Sequence, residues 1–306
     1  MAREMMFGWR EEFGYFQCAA CGCVQIEHVP EDLSRHYPDD YYSYAHGSGQ
    51  TRSPLWKRAI WTLAVWIFLR GGVLGAKLSR LMRVSEEIRT WGRAAGLRQS
   101  SRILEVGCGT GALLNRLAER GFTSLTGVDP FVPGDLAYGN GVRIFKRELA
   151  DMQGEYDLIM IHHAFEHIPD QAGTLREFRR LLAPGGRALI RIPLSSSLAY
   201  ERYGADWVQL DPPRHLFLHT KRSLEALART EGFDVREVLY DSTGYQFWGS
   251  EQNVLDIPVR DPRSHAMNPR AAVFTPRRMA EFEAMAREAN RNGTGDQACF
   301  ILSARK

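Results

Sequence analysis

The sequence predicts an α/β protein, and three observations carry that prediction. From about residue 86 to the end, apolar strand-like runs alternate with helix-spaced stretches. The first of those runs closes on a glycine turn, Gly107-Cys108-Gly109-Thr110-Gly111. A later run, Asp157–Ile161, is almost unbroken in its apolar character, as a strand buried on both faces requires.

The elements follow in order. Arg102–Val106 reads as the first strand, and Ala112–Arg120 as a helix with Leu113, Leu114, Leu117 and Ala118 on one side. Ser124–Val128 is a second strand ending at Asp129-Pro130, Val142–Phe145 a third, and Asp157–Ile161 a fourth. The helix Gln171–Leu182 stops at Ala183-Pro184-Gly185-Gly186, a turn signal that precedes a fifth strand, Ala188–Ile192. After a helix near Ser223–Glu231, Val235–Tyr240 and Ala298–Ser303 supply two more strands.

Composition narrows the class. The chain has 306 residues, 44% hydrophobic and 25% charged. That is one large domain or two smaller ones, and it excludes a mainly disordered chain, a collagen-like repeat and a polytopic membrane protein. The net charge of +3 gives no general reason to expect nucleic acid as a partner. The charge is unevenly spread: residues 1–40 hold 3 basic and 8 acidic side chains, whereas residues 41–85 hold 7 basic and none acidic. Three of the five cysteines crowd into Cys18-Ala-Ala-Cys21-Gly-Cys23, spacing that suits a metal knuckle in a reducing compartment better than a disulfide framework. The N-terminal stretch has no apolar signal region, so a cytoplasmic location is the expectation.

Glycines at the end of a buried strand let the chain turn tightly and let a ligand approach without meeting a Cβ. The helix that follows offers free N–H groups and the positive end of its dipole. Asp129 ends the next strand, where an acid commonly accepts from ribose hydroxyls. Gly107, Gly109 and Ala112 also satisfy the dehydrogenase pattern G-x-G-x-x-A. An acid inside the first strand, Glu105, is unhelpful beside a pyrophosphate but can take an ammonium group, which favours S-adenosylmethionine over a dinucleotide.

With these pieces in place, residues 102–241 resemble a class I S-adenosylmethionine-dependent methyltransferase. The matching segments are ILEVGCGTG, LTGVDP, YDLIMIHHAFEHIPD, LLAPGGRALIRIP and DPPRHLFLHTKRSLEALARTEGF, in the expected order. The resemblance implies a Rossmann-like, seven-stranded, mostly parallel sheet with an antiparallel last strand, for which Ala298–Ser303 is the natural candidate. It implies that Gly107, Cys108, Gly109 and Gly111 line the cofactor, that Glu105 lies near its amino group, that Asp129 holds the ribose and that Pro130 flanks the adenine. The last segment is similar to methyltransferases of bacterial cell-surface polysaccharide and lipid pathways, so the expected acceptor is a small sugar- or lipid-linked molecule.

The carboxyl ends of central strands face the ligand crevice of an open α/β sheet, which places His162 and His163 near the cofactor. A neutral imidazole can take a proton from an attacking hydroxyl near pH 7, making His163 and His162 candidate bases. His215, in Asp211-Pro-Pro-Arg214-His215, could likewise orient or deprotonate an acceptor, and Arg214 could hold an anion or only pin the loop. His163-Ala-Phe-Glu166-His167 matches the H-x-x-E-H zinc pattern, but it starts at a strand end and meets Pro169, so the match reads as chance. Residues 242–296 read as a substrate-side insertion.

The N-terminal part divides into a zinc-ribbon-like module over 1–45, a linker, and a basic, Trp-rich segment over 54–84. Methyltransferases of this type often carry a zinc ribbon, but a ribbon needs four ligands and only Cys18, Cys21 and Cys23 crowd together. Residues 59–69 form an uncharged run of 11, too short for the ~20 residues that span a bilayer. With its tryptophans and cations the segment fits either an interfacial helix on anionic lipid at the inner face of the membrane, or a helix packed over the sheet. A non-catalytic cofactor-binding scaffold and a membrane-surface adaptor are the rival functional readings.

Overall fold

The computed structural model describes residues 1–38, 53–71, 88–270 and 273–305. The linker and the part of the basic segment beyond residue 71, with Lys77, Arg80 and Arg83, lie outside them. The N-terminal residues form two small hairpins, β1 (Ala2–Arg3) with β2 (Glu12–Phe13) and β3 (Tyr15–Gln17) with β4 (Val24–Ile26). Helix α1 (Leu55–Arg70) follows.

The remaining chain alternates as expected. Strand β5 (Arg102–Val106) leads through the glycine turn into α2 (Ala112–Glu119), then come β6 (Ser124–Val128), β7 (Leu136–Ala137) and β8 (Arg143–Phe145). Strand β9 (Tyr156–His162), helix α3 (Gln171–Leu181) and strand β10 (Leu182–Pro193) come next, followed by α4 (Leu198–Tyr203), β11 (Phe217–Leu218), α5 (Lys221–Thr230) and β12 (Phe233–Tyr240). Helices α6 (Tyr245–Val254) and α7 (Pro276–Asn292) precede the last strand, β13 (Gln297–Ala304).

The main sheet runs β12-β13-β10-β9-β5-β6-β8-β7. Strands β5, β6, β8, β9 and β10 pair in parallel, and β13 inserts antiparallel between β10 and β12. The seven-strand expectation therefore gains an eighth member: β7 is only two residues long and pairs antiparallel with the edge strand β8. A two-residue strand has no periodicity to read. The turn expected at Ala183–Gly186 is instead a bulge inside β10, where the pairing with β9 jumps from Leu182↔Tyr156 to Arg187↔Leu158. Gly185, at φ +79°, supplies the left-handed residue that the bulge needs.

Apolar layers cover both faces of the sheet. One holds Leu158, Met160 and Leu189 with α2 and the inner side of α1 (Ala64, Val65, Phe68). The other holds Ile159, Ile161 and Ile190 with Leu175, Phe178 and Leu224 of α3 and α5. A third cluster joins the N-terminal hairpins to the 242–296 insertion, through Ala2, Val24, Trp207, Phe247 and Phe282. The insertion thus builds two packed helices, and Val259 and Arg260 donate backbone hydrogen bonds to the carbonyls of Met5 and Met6.

Candidate active site

The carboxyl ends of β5, β6, β9, β10 and β12 build the site. At the end of β5, Gly107, Gly109 and Gly111 have φ of +66°, +51° and +78°, a conformation that L side chains rarely adopt. Gly107 is required for a second reason, because a Cβ there would lie 2.6 Å from Cβ of Ala164. Cys108 turns inward: a Cβ on Gly127 would meet its Sγ, so only its backbone can serve a ligand at the turn.

Asp129, at the end of β6, braces this turn. Its Oδ2 accepts the Gly109 N–H at 2.8 Å and its Oδ1 accepts the Phe131 N–H at 2.9 Å. The next two residues, Pro130 and Phe131, lead out of the strand, and Phe131 is 75% exposed. An apolar ring left in solvent beside a ligand turn was not singled out from sequence, although its place directly after Asp129-Pro130 was the available signal.

Glu105 is buried, and its Oε2 has no hydrogen-bond partner among the described residues. Burial raises its pKa to about 8, with Arg116 opposing and Asp129 adding to the rise. An orphaned acid oxygen in the strand that feeds the glycine turn fits a cationic ligand, such as the ammonium and sulfonium groups of S-adenosylmethionine. The residues suit that cofactor: Asp129 and the glycine turn would hold its ribose side and Glu105 would face its charge.

His162 ends β9 opposite Arg191 of β10, which in turn pairs with Cys299 of β13, so the three share a face of the sheet. The His162 ring packs 5.6 Å from Trp91, and its buried Nε2 has no partner among the described residues. Burial, with Arg191 nearby, pushes its pKa well below 6.5 and keeps it neutral.

His163 takes a different path. At φ +50° it leaves the strand, and its Nε2 lies 2.7 Å from Nη1 of Arg191. A guanidinium can only donate, so His163 accepts at Nε2 and carries its proton on Nδ1, 3.7 Å from the Glu166 carboxylate. Arg191 is held from the far side by Asp241, at 2.8 Å. A polar chain Asp241–Arg191–His163–Glu166 thus crosses the carboxyl ends of β12, β10 and β9. Arg191 was missed from sequence, although a charge inside the apolar run of β10 marked it.

Glu166 is fully buried and faces His163, His167 and His215. Burial alone would raise its pKa, but the surrounding imidazoles of His163, His167 and His215 win and hold it near 2, although neither carboxylate oxygen has a hydrogen-bond partner among the described residues. His167 Nδ1 lies 2.8 Å from the Arg214 carbonyl, and burial with His215 nearby lowers its pKa to about 4. His215 donates Nδ1–H to the Gln209 carbonyl at 2.7 Å, leaving Nε2 facing Glu166 and Asp211, each 3.9 Å away. Among the described residues, Glu166, His167 and His215 are also the one group with metal-ligand spacing, their atoms within 4.8 Å of one another.

The Asp211–His215 loop is pinned rather than open. Arg214 is fully buried, paired with Asp211 at 2.6 Å and with Glu4 at 2.7 Å. Glu4 also accepts the N–H groups of Met6, Phe7, Gly8 and Trp9. Arg214 is thus committed to two carboxylates and is no anion receptor in this arrangement. Cys18, Cys21 and Cys23 are free thiols, and among the described residues they do not form a group with metal-ligand spacing. Cys23 is buried, its Sγ 3.7 Å from the Val24 carbonyl, and burial pushes its thiol up to about 12.

The strand order, with β13 antiparallel between β10 and β12, and the braced glycine turn define a class I methyltransferase. A family model described as a methyltransferase domain matches residues 79–238. Over 162 residues, 47% of this chain and 69% of the relative, it is 30% identical to a ubiquinone biosynthesis O-methyltransferase of Pseudomonas aeruginosa, strain LESB58. The corresponding Pseudomonas entomophila protein is 29% identical over 157 residues, 45% of this chain and 66% of that one. The chain aligns with the methyltransferase of a Haloferax volcanii complex with the Trm112 activator (17% identity, TM-score 0.47, 72% of this chain and 92% of that one). At that score the likeness carries no functional weight. The chain belongs to the methyltransferase-domain family and is an S-adenosylmethionine-dependent methyltransferase.

Proposed function

We propose that the protein transfers a methyl group from S-adenosylmethionine to a hydroxyl of a small sugar- or lipid-linked acceptor. The carrying observation is the Asp241–Arg191–His163–Glu166 chain with His215 at its end, set at the strand ends beside the glycine turn. An oxygen acceptor must lose a proton as it is methylated, and this array supplies fixed imidazoles and a buried anion. The P. aeruginosa relative is named for an oxygen acceptor, which supports the same choice.

The cofactor brings an already activated methyl group, so the protein's work is alignment and exclusion of water. Of the three candidate bases, His163 has its Nε2 lone pair occupied by Arg191. His162 has a bare Nε2 but sits in an environment that opposes its protonation. His215 combines a bare Nε2 with two carboxylates that would face the imidazolium once formed, and we assign it the proton.

The test is transfer of labelled methyl from S-adenosylmethionine to matched acceptors carrying a hydroxyl or an amine. The expected product is a methyl ether, with turnover lost in His215→Ala and cofactor affinity kept. An N-methyl product, or a His215→Ala variant at full rate, would overturn it.

A further inference from the structure

Helix α1 is apolar on both of its sides, and only one side is used. Ala64, Val65 and Phe68 are buried in the layer that contains Leu114 and Leu117 of α2. Gln99 ties the helix down by donating to the Thr62 carbonyl at 2.9 Å, and the Arg120 guanidinium lies 3.8 Å from the Trp61 ring centre. The opposite side presents Leu55, Trp56, Ile60, Leu63 and Trp66 to solvent, with Trp56 at 63%, Leu63 at 52% and Trp66 at 43% exposure. At 100° per residue these positions form one continuous face about 17 Å long.

Charge selects the occupant. The helix contains Lys57, Arg58 and Arg70 and no acidic residue, and the surrounding segment 41–85 contains none either. Lys57 lies 5.4 Å from the ring centre of Trp56, and the Arg70 guanidinium stacks 3.6 Å from that of Trp66. Tryptophan and cations together at each end, with aliphatic side chains between, form the pattern of a helix lying in a lipid interface. Among the described residues no helix is long and apolar enough to cross a membrane, so contact would be in the plane of the surface.

We propose that the outer face of α1 docks this enzyme on an anionic lipid bilayer, with Trp56, Ile60, Leu63 and Trp66 entering the interface and Lys57 and Arg70 at the headgroups. The inference is independent of which acceptor is methylated.

The test is co-flotation of the full chain with vesicles of phosphatidylglycerol and phosphatidylcholine, against phosphatidylcholine alone. Binding is expected to the anionic vesicles and to weaken with salt. Lys57→Glu should reduce it by about fivefold or more. Leu63→Glu with Trp66→Glu should reduce it by more than about tenfold. Because these side chains point to solvent, both variants should keep the wild-type melting temperature and cofactor affinity, which separates this test from that of the catalytic reading. Equal binding by the double variant, or no binding by the wild type, overturns the proposal. So does a lipid-free, concentration-dependent dimer that the double variant abolishes, since a second copy would then be the occupant.

Discussion

Arg191 reaches His163 and Asp241 at once, its Nη1 2.7 Å from the imidazole Nε2 and its Nε 2.8 Å from the carboxylate. This fixes the proton of His163 on Nδ1, toward Glu166. The orientation of the polar chain depends on one guanidinium near the carboxyl end of the apolar strand β10.

Replacing that group breaks the chain at its centre. Arg191→Leu should lose about 1.5–3 kcal/mol of interaction, a roughly ten- to hundredfold fall in turnover. Cofactor affinity should change much less, because Glu105 and Asp129 are untouched. Steady-state kinetics alongside cofactor titration checks this, and an equal loss in both would place Arg191 in the cofactor site.

Glu105 should titrate in the physiological range. Its folded pKa is about 8 against an ordinary 4.5, so its contribution to stability is fully present below 4.5 and lost as pH rises toward 8. Glu105→Gln removes that loss. The variant should therefore melt higher than wild type at pH 8, with the difference vanishing near pH 4.5. Binding a cationic cofactor favours the ionised acid, so wild type should release a proton on binding at neutral pH and the variant should not. Calorimetry in buffers of different ionisation enthalpy reads the difference.

Arg214 is the keystone between the N-terminal hairpins and the Asp211–His215 loop. Removing it leaves Glu4 and Asp211 buried without their counter-charge, and breaking a buried pair costs about 3–5 kcal/mol. Arg214→Met should show that loss in denaturant unfolding, and Arg214→Lys should restore only part of it. An unchanged midpoint in Arg214→Met would show that the N-terminal hairpins are not held through this residue.

Gly107→Ala meets two penalties, a left-handed φ and a Cβ 2.6 Å from that of Ala164. About 1–3 kcal/mol of destabilisation is expected, with a sharp fall in cofactor affinity. Thermal melts with and without S-adenosylhomocysteine separate the two effects.

Much of this was legible in the sequence where a local rule applied. Seven strands were placed from apolar runs, and the glycine turn with Asp129 from the need for a tight turn and close ligand approach at a strand end. Helices α6 and α7 were not found, because their buried faces meet the N-terminal hairpins and α4 across long stretches of chain. The Glu4–Arg214 pair joins residues 210 positions apart, which no local pattern encodes. His163 was placed at the strand end, but its lone pair was not known to be occupied. That depends on the β9–β10 register, which puts Arg191 opposite His162.

The most direct measurement of the central claim is calorimetric titration of the purified chain with S-adenosylmethionine. One saturable site is expected, weakened in Gly107→Ala and retained in His215→Ala. No binding at millimolar cofactor, or binding unaffected by Gly107→Ala, would contradict it.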